Sequence, residues 1–151
     1  MIFNPSRITI HCTDTKNGLP VSVETIDQWH KDRGWTGIGY HFVIQPDGRI
    51  DDGRKITKMG AHVEGANEDN IGVVLCGRNK YTIEQFKSLR ELSGELMDRF
   101  NIDPWEIYTH AQWASALKQG KTCPNISINR LLCFLFTDNT DTIKDNILGD
   151  L

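Results

Sequence analysis

The stretch Ile71-Gly72-Val73-Val74-Leu75-Cys76 decides the fold. Apart from Gly72 it is apolar throughout, with no polar residue at alternate positions. A strand with one face in water alternates, whereas a strand covered on both faces does not. The run is therefore expected as a central strand with other structure packed above and below it. Just after it, Thr82 and Gln85 make a capping box, and Tyr81 with Phe86 make a hydrophobic staple. Ile83, Phe86, Leu89, Leu92, Leu96 and Phe100 then follow at helical spacing and line one face of a long helix.

Upstream, Tyr40-His41-Phe42-Val43-Ile44 reads as a strand, and Pro46-Asp47-Gly48 is turn chemistry leading into Arg49-Ile50. Ser22 can cap a helix whose inner face is Val23, Ile26, Trp29 and His30 and which stops at Gly34. Ile8-Thr9-Ile10-His11 alternates like a strand. Downstream, Glu106-Ile107-Tyr108-Thr109-His110 is another strand, and a last helix spans 128–136. Strands alternating with helices predict an α/β domain, a central mixed β-sheet flanked by helices.

At 151 residues one domain is expected, large enough to bury roughly 70% of its unfolded surface without disulfides. The net charge of -3 argues against nucleic acid or an anionic membrane as partner. That charge is concentrated: Asp138, Asp141, Asp145 and Asp150 against Lys144 give 137–151 its whole excess. The chain therefore divides into a domain over 1–136 and an acidic C-terminal tail over 137–151, read as solvated or as a frayed helix. Cys12, Cys76, Cys123 and Cys133 form no CxxC pair, and Cys76 and Cys133 read as small buried hydrophobes. Met1-Ile2-Phe3-Asn4-Pro5 is not a signal sequence, and no apolar run approaches the ~20 residues of a membrane span. A cytoplasmic protein is expected, released only if something else opens the way.

Two histidines, His11 and His110, end two separate strands, and ligand sites of α/β sheets gather beyond the carboxyl ends of strands. Thirteen residues after His110, Cys123 stands in Lys121-Thr122-Cys123-Pro124. Two imidazoles and a thiolate are a known set for catalytic zinc. Spacing alone leaves other triples open, since the chain has five histidines and four cysteines.

An ordered series of short motifs narrows the choice. His11-Cys12-Thr13-Asp14-Thr15, Gln28-Trp29-His30, Gly34-Trp35 and Ile38-Gly39-Tyr40-His41-Phe42 resemble the type 2 N-acetylmuramoyl-L-alanine amidases, which include phage lysozyme-type amidases and animal peptidoglycan recognition proteins. Asp47-Gly48, Gly60-Ala61-His62, Asn70-Ile71-Gly72-Val73, Thr109-His110 and Lys121-Thr122-Cys123-Pro124 continue the resemblance in order. It implies that His11, His110 and Cys123 hold Zn2+, that Tyr40 and Lys121 assist at the scissile amide, and that His62 lines the substrate groove. It makes 1–136 the amidase catalytic domain, bacterial peptidoglycan the partner, and a monomeric phage-type endolysin the expected role. A peptidoglycan-binding protein without activity and a wall-recycling amidase are the alternatives. Retention of the thiolate ligand argues against the first, and the recycling relatives carry an aspartate where Cys123 stands.

Other residues have plainer readings. His41 alternates with Tyr40 and faces the opposite side, as packing. His30 reads as core or groove wall, while Trp35 and Trp113 are candidates for stacking on sugar or for packing. Two departures from the family, Asn70 in place of a common serine and a long basic loop over 111–120, are expected at the substrate rim.

Overall fold

The apolar run is a central strand. In the computed structural model, which describes residues 2–149, Asn70–Leu75 (β4) is buried at all six positions. Arg7–Cys12 (β1) and then Ile107–Thr109 (β5) lie on one side of it, and Phe42–Ile44 (β2) and Ile50–Asp52 (β3) on the other, in the order β3-β2-β4-β1-β5. All neighbours are parallel except the β2–β3 pair at one edge, so the sheet is mixed. Met1 and Asp150, used above for the N-terminal reading and the charge count, lie outside the described residues, as does Leu151.

Side chains alternate across the sheet and sort its two faces. Ile8, Ile10 and Cys12 of β1 and Ile71, Val73 and Leu75 of β4 meet two helices, Ile83–Phe100 (α2) and Ile128–Thr137 (α4). Phe86, Leu89 and Leu96 of α2 and Leu131 and Phe134 of α4 complete that core, each burial contributing about 1.5–3 kcal/mol. On the other face Val43, Val74 and Cys76 pack with Ile38 and with Ile26 of the helix Val23–Asp32 (α1). Thr9 and His11 share that second face, because they alternate with Ile8 and Ile10 along β1.

The long helix forms where its start signals stand. The Thr82 side chain accepts from the Gln85 backbone at 3.1 Å, and the Gln85 amide accepts from the Thr82 backbone at 2.9 Å. The Tyr81 and Phe86 rings meet edge to face at 5.9 Å. Three expectations shift. Trp29 is 40% exposed, so the inner face of α1 narrows to Ile26 and His30 with the half-buried Val23. Tyr40 and His41 precede β2 instead of forming part of it. The expected loop over 111–120 holds a short helix, Ala114–Lys118 (α3).

The acidic end is not a solvated tail. After α4 the chain makes two 3-10 turns, Thr140–Thr142 and Lys144–Asn146, and Ile143 is fully buried in the α2–α4 core. Tyr81 pairs with Ile147 as a parallel bridge, its N–H donating to the Asn146 carbonyl and its own carbonyl accepting from Leu148, both at 2.7 Å. The aspartates Asp138, Asp141 and Asp145 face water while Ile143 and Asn146 between them face inward. Charge content described the outer face of this segment and hid the inner one.

Candidate metal centre

The parallel register that pairs Ile10 with Thr109 carries the next residues, His11 and His110, side by side at the carboxyl edge of the sheet. Their ring centroids are 4.4 Å apart. Cys123 arrives on the loop between α3 and α4, tied down where the Ala111 N–H donates to its carbonyl at 3.0 Å. One donor atom from each of His11, His110 and Cys123 lies within 4.8 Å of the other two, and no other such trio is found among the described residues.

The donor chemistry fits zinc. Burial, then the neighbouring His62, His110 and Lys121, holds His11 well below the usual histidine range. Burial and Lys121 bring His110 down to about 4. Both rings are therefore neutral near pH 7 and carry a lone pair for a metal. The Cys12 N–H points at the Cys123 sulfur at 2.9 Å, a backbone donor suited to a thiolate. Hydrogen bonding to the Cys12 thiol, then burial, pushes the Cys123 thiol up, so ionisation there is coupled to the arrival of a cation.

Tyr40 and Lys121 line the groove beside this trio. The Tyr40 ring is 4.9 Å from that of His11. Burial, reinforced by Cys123 and Cys12, raises its phenol, which stays protonated and able to donate. Its hydroxyl has no hydrogen-bond partner among the described residues. Lys121 is exposed, with its backbone N–H bound to the Ala116 carbonyl at 2.9 Å, and its charge is felt at both histidines.

His62 is only 8% exposed, and both its ring nitrogens are engaged inside the protein, with the Asn70 carbonyl at 2.8 Å and with His11 at 2.9 Å. His41 turns away from the groove, stacks on Phe3 at 5.4 Å and accepts from the Gly72 N–H. His30 accepts from the Gly39 N–H and lies between Trp35 and Tyr40, so it forms the wall behind Tyr40. Trp113 donates its indole N–H to Thr9 under the Arg7 guanidinium and serves packing, while Trp35 is 40% exposed at the rim. Asn70 is not at the rim. It is fully buried, accepting from Thr9 and donating to the Ala66 carbonyl.

Sequence reasoning missed three contributors: the Cys12 N–H, the Asn70 carbonyl and Arg33. The first two act through backbone atoms, which any residue carries. Arg33 lines the groove on both sides of the metal trio and stands directly before Gly34-Trp35, where its charge was a usable signal.

The family model described as N-acetylmuramoyl-L-alanine amidase matches residues 3–126. The chain belongs to that amidase family. The amidase is 40% identical over 133 residues to an endolysin of Klebsiella phage KP32, a match spanning 83% of either chain. Among solved structures it superposes on the amidase LysC from Clostridium intestinale with a TM-score of 0.77 at 34% identity, covering 88% of this chain and 86% of that one. It also resembles the ectodomain complex of peptidoglycan recognition proteins LCa and LCx bound to tracheal cytotoxin, with a TM-score of 0.66 at 26% identity over 76% of this chain and 75% of that one. The amidase is thus an enzyme of the phage-endolysin type. No helix among the described residues is long and apolar enough to cross a membrane.

Proposed function

We propose that this amidase cuts the bond between the lactyl carbonyl of N-acetylmuramic acid and the nitrogen of L-alanine in peptidoglycan, with zinc held by His11, His110 and Cys123. The observation that carries the reading is the convergence of those three donors within 4.8 Å beside a groove that Tyr40 and Lys121 line. Zinc, when bound, supplies Lewis acidity at the amide carbonyl and lowers the pKa of water.

The chain's own residues supply the rest. The Tyr40 hydroxyl, kept protonated, donates to the carbonyl oxygen as negative charge gathers there. The Lys121 ammonium adds positive charge on the open side and gives a proton to the departing alanine nitrogen. One water is consumed: its oxygen bonds to the carbonyl carbon, the C–N bond breaks, one of its protons ends on the products and the other restores the Lys121 ammonium. In this reading the protein works as a monomer and, in a phage, reaches the wall from the host cytoplasm through a membrane pore made by another protein.

Digestion of purified sacculi tests the bond. Stem peptides with a new L-alanine amino terminus and intact glycan strands are expected, whereas new reducing sugar ends would point to a glycosidase. Metal analysis tests the centre. Cys123→Ser is expected to lose most of its zinc and its lysis, and full zinc with full activity in that variant would remove the thiolate from the assignment.

A further inference from the structure

His62 was expected on the substrate groove, yet its ring nitrogens already have partners inside the protein. The Asn70 carbonyl can only accept, so the 2.8 Å contact puts a proton on His62 Nε2. A neutral ring has one such proton, which leaves His62 Nδ1 as an acceptor. Its partner at 2.9 Å is His11 Nε2, which must therefore be the donor. His11 then carries its proton on Nε2, and Nδ1 is its only nitrogen with a lone pair to offer. We propose that His62 is a positioning residue that locks the tautomer and ring orientation of His11 through a relay running from the Asn70 carbonyl through His62 to His11.

The surroundings are built to hold that ring still. A Cβ on Gly72 would stand 2.7 Å from the His62 ring, and a Cβ on Gly60 would stand 2.7 Å from its Cδ2, so two glycines make room for the ring. The Asn67 side chain accepts from the backbone N–H groups of both His62 and Val63 at 2.9 Å. Asn70 is itself fixed, accepting from the Thr9 hydroxyl at 2.8 Å and donating to the Ala66 carbonyl at 3.0 Å. The Trp113 indole in turn donates to Thr9 at 3.1 Å. Every polar atom along the line has a partner, and the line ends at the one nitrogen that is left bare. Histidine ligands whose second N–H is held by an acceptor bind metal with a fixed tautomer.

The proposal rests on the zinc reading above, and its test separates the two. Long-range 1H–15N correlation spectra of the full metal-free chain report the tautomer directly. His11 and His62 are both expected with a protonated Nε2 and a bare Nδ1, and zinc loading is expected to shift Nδ1 of His11 alone among these four nitrogens. A bare Nε2 on His11 overturns the relay without any variant being made. Zinc affinity is then measured by competition with a chelator. His62→Phe keeps a flat ring without nitrogens and is expected to weaken binding about 10- to 100-fold. His62→Gln, whose amide offers one acceptor and one donor, is expected to recover most of that loss. Equal affinity in the wild-type chain and both variants overturns the proposal. Should His62→Phe fail to fold, the wild-type spectrum and the Gln variant decide. A wild-type chain that binds no zinc would remove the metal reading, while the His11 tautomer would still uphold or overturn the relay.

Discussion

Tyr40 and Lys121 are proposed to act on the reacting amide without holding the metal, and that separation can be measured. Tyr40→Phe keeps the ring that packs on His11 and His30 and removes only the hydroxyl. Lys121→Ala removes an exposed charge. Each variant is expected to retain full zinc and native stability while losing about 100- to 1,000-fold in turnover, the usual effect of deleting one oxyanion donor. Wild-type lysis with zinc bound would make Lys121 a solvated loop residue and Tyr40 a packing residue. At this scale most of the candidate side chains could be picked out from the sequence, two histidines at strand ends and a cysteine in a Lys-Thr-Cys-Pro loop. The motif resemblance had to choose among the possible triples, however, and Arg33 was passed over. What stayed hidden was geometry made by the backbone. Asn70 looks like a polar rim residue until its carbonyl is found holding His62.

Among the elements, α2 was readable because its signals are local: a cap, a staple and an apolar stripe within one stretch of chain. Thr82 does more than cap, since its hydroxyl also donates to the Pro46 carbonyl at 2.6 Å and joins the helix to the β2–β3 turn. Thr82→Ala is expected to cost about 1–2 kcal/mol, read as a lower midpoint in urea unfolding at constant slope. Ser93 is the opposite case. It is 1% exposed on the core face of α2, and its hydroxyl is the one buried side-chain polar atom without a partner among the described residues. Ser93→Ala removes an unpaired group and installs the best helix former, so a gain of up to about 1 kcal/mol is expected in the same assay. The ends of α1 were legible from Ser22 and Gly34, but the width of its buried face and the existence of α3 were not, because both depend on what the rest of the fold covers. Trp29 has the spacing of an inner residue but is left outside by the narrow contact of α1 with the sheet.

For the molecule as a whole, buried neutral histidines set the response to acid. Burial, then Arg33 and Arg54, brings His30 down to about 4, and burial lowers His41. In each ring Nδ1 accepts a backbone N–H, from Gly39 and Gly72 respectively, so a second ring proton has no place to go. The unfolded chain takes up these protons near pH 6.5 and the folded chain only at lower pH, for His30 about 4, so protons favour unfolding below pH 6.5. Thermal midpoints of the metal-free chain are expected to stay level above about pH 6.5 and to fall steadily towards pH 4. A midpoint that is flat across this range would mean that the two histidines protonate freely in the fold. The central place of β4 and its two covered faces followed from its apolar run, whereas the docking of residues 137–148 did not, because net charge averages over the two sides of a segment.

That docked segment also fixes where the domain can be joined to something else. The Asn146 side chain donates to the carbonyls of Asn79 and Asn125, and the Tyr81 hydroxyl donates to the carbonyl of Pro124. The final turns therefore buckle down the loop that carries Cys123, much as a strap holds a lid hinge. A chimaeric lysin with a second module spliced in at 137 would lose this strap, and one spliced after 148 would keep it. The early junction should lower both the melting temperature and zinc retention in chelator, and the late junction should leave both near the parent values. Equal zinc retention in the two chimaeras would show that the Cys123 loop keeps its shape without the strap.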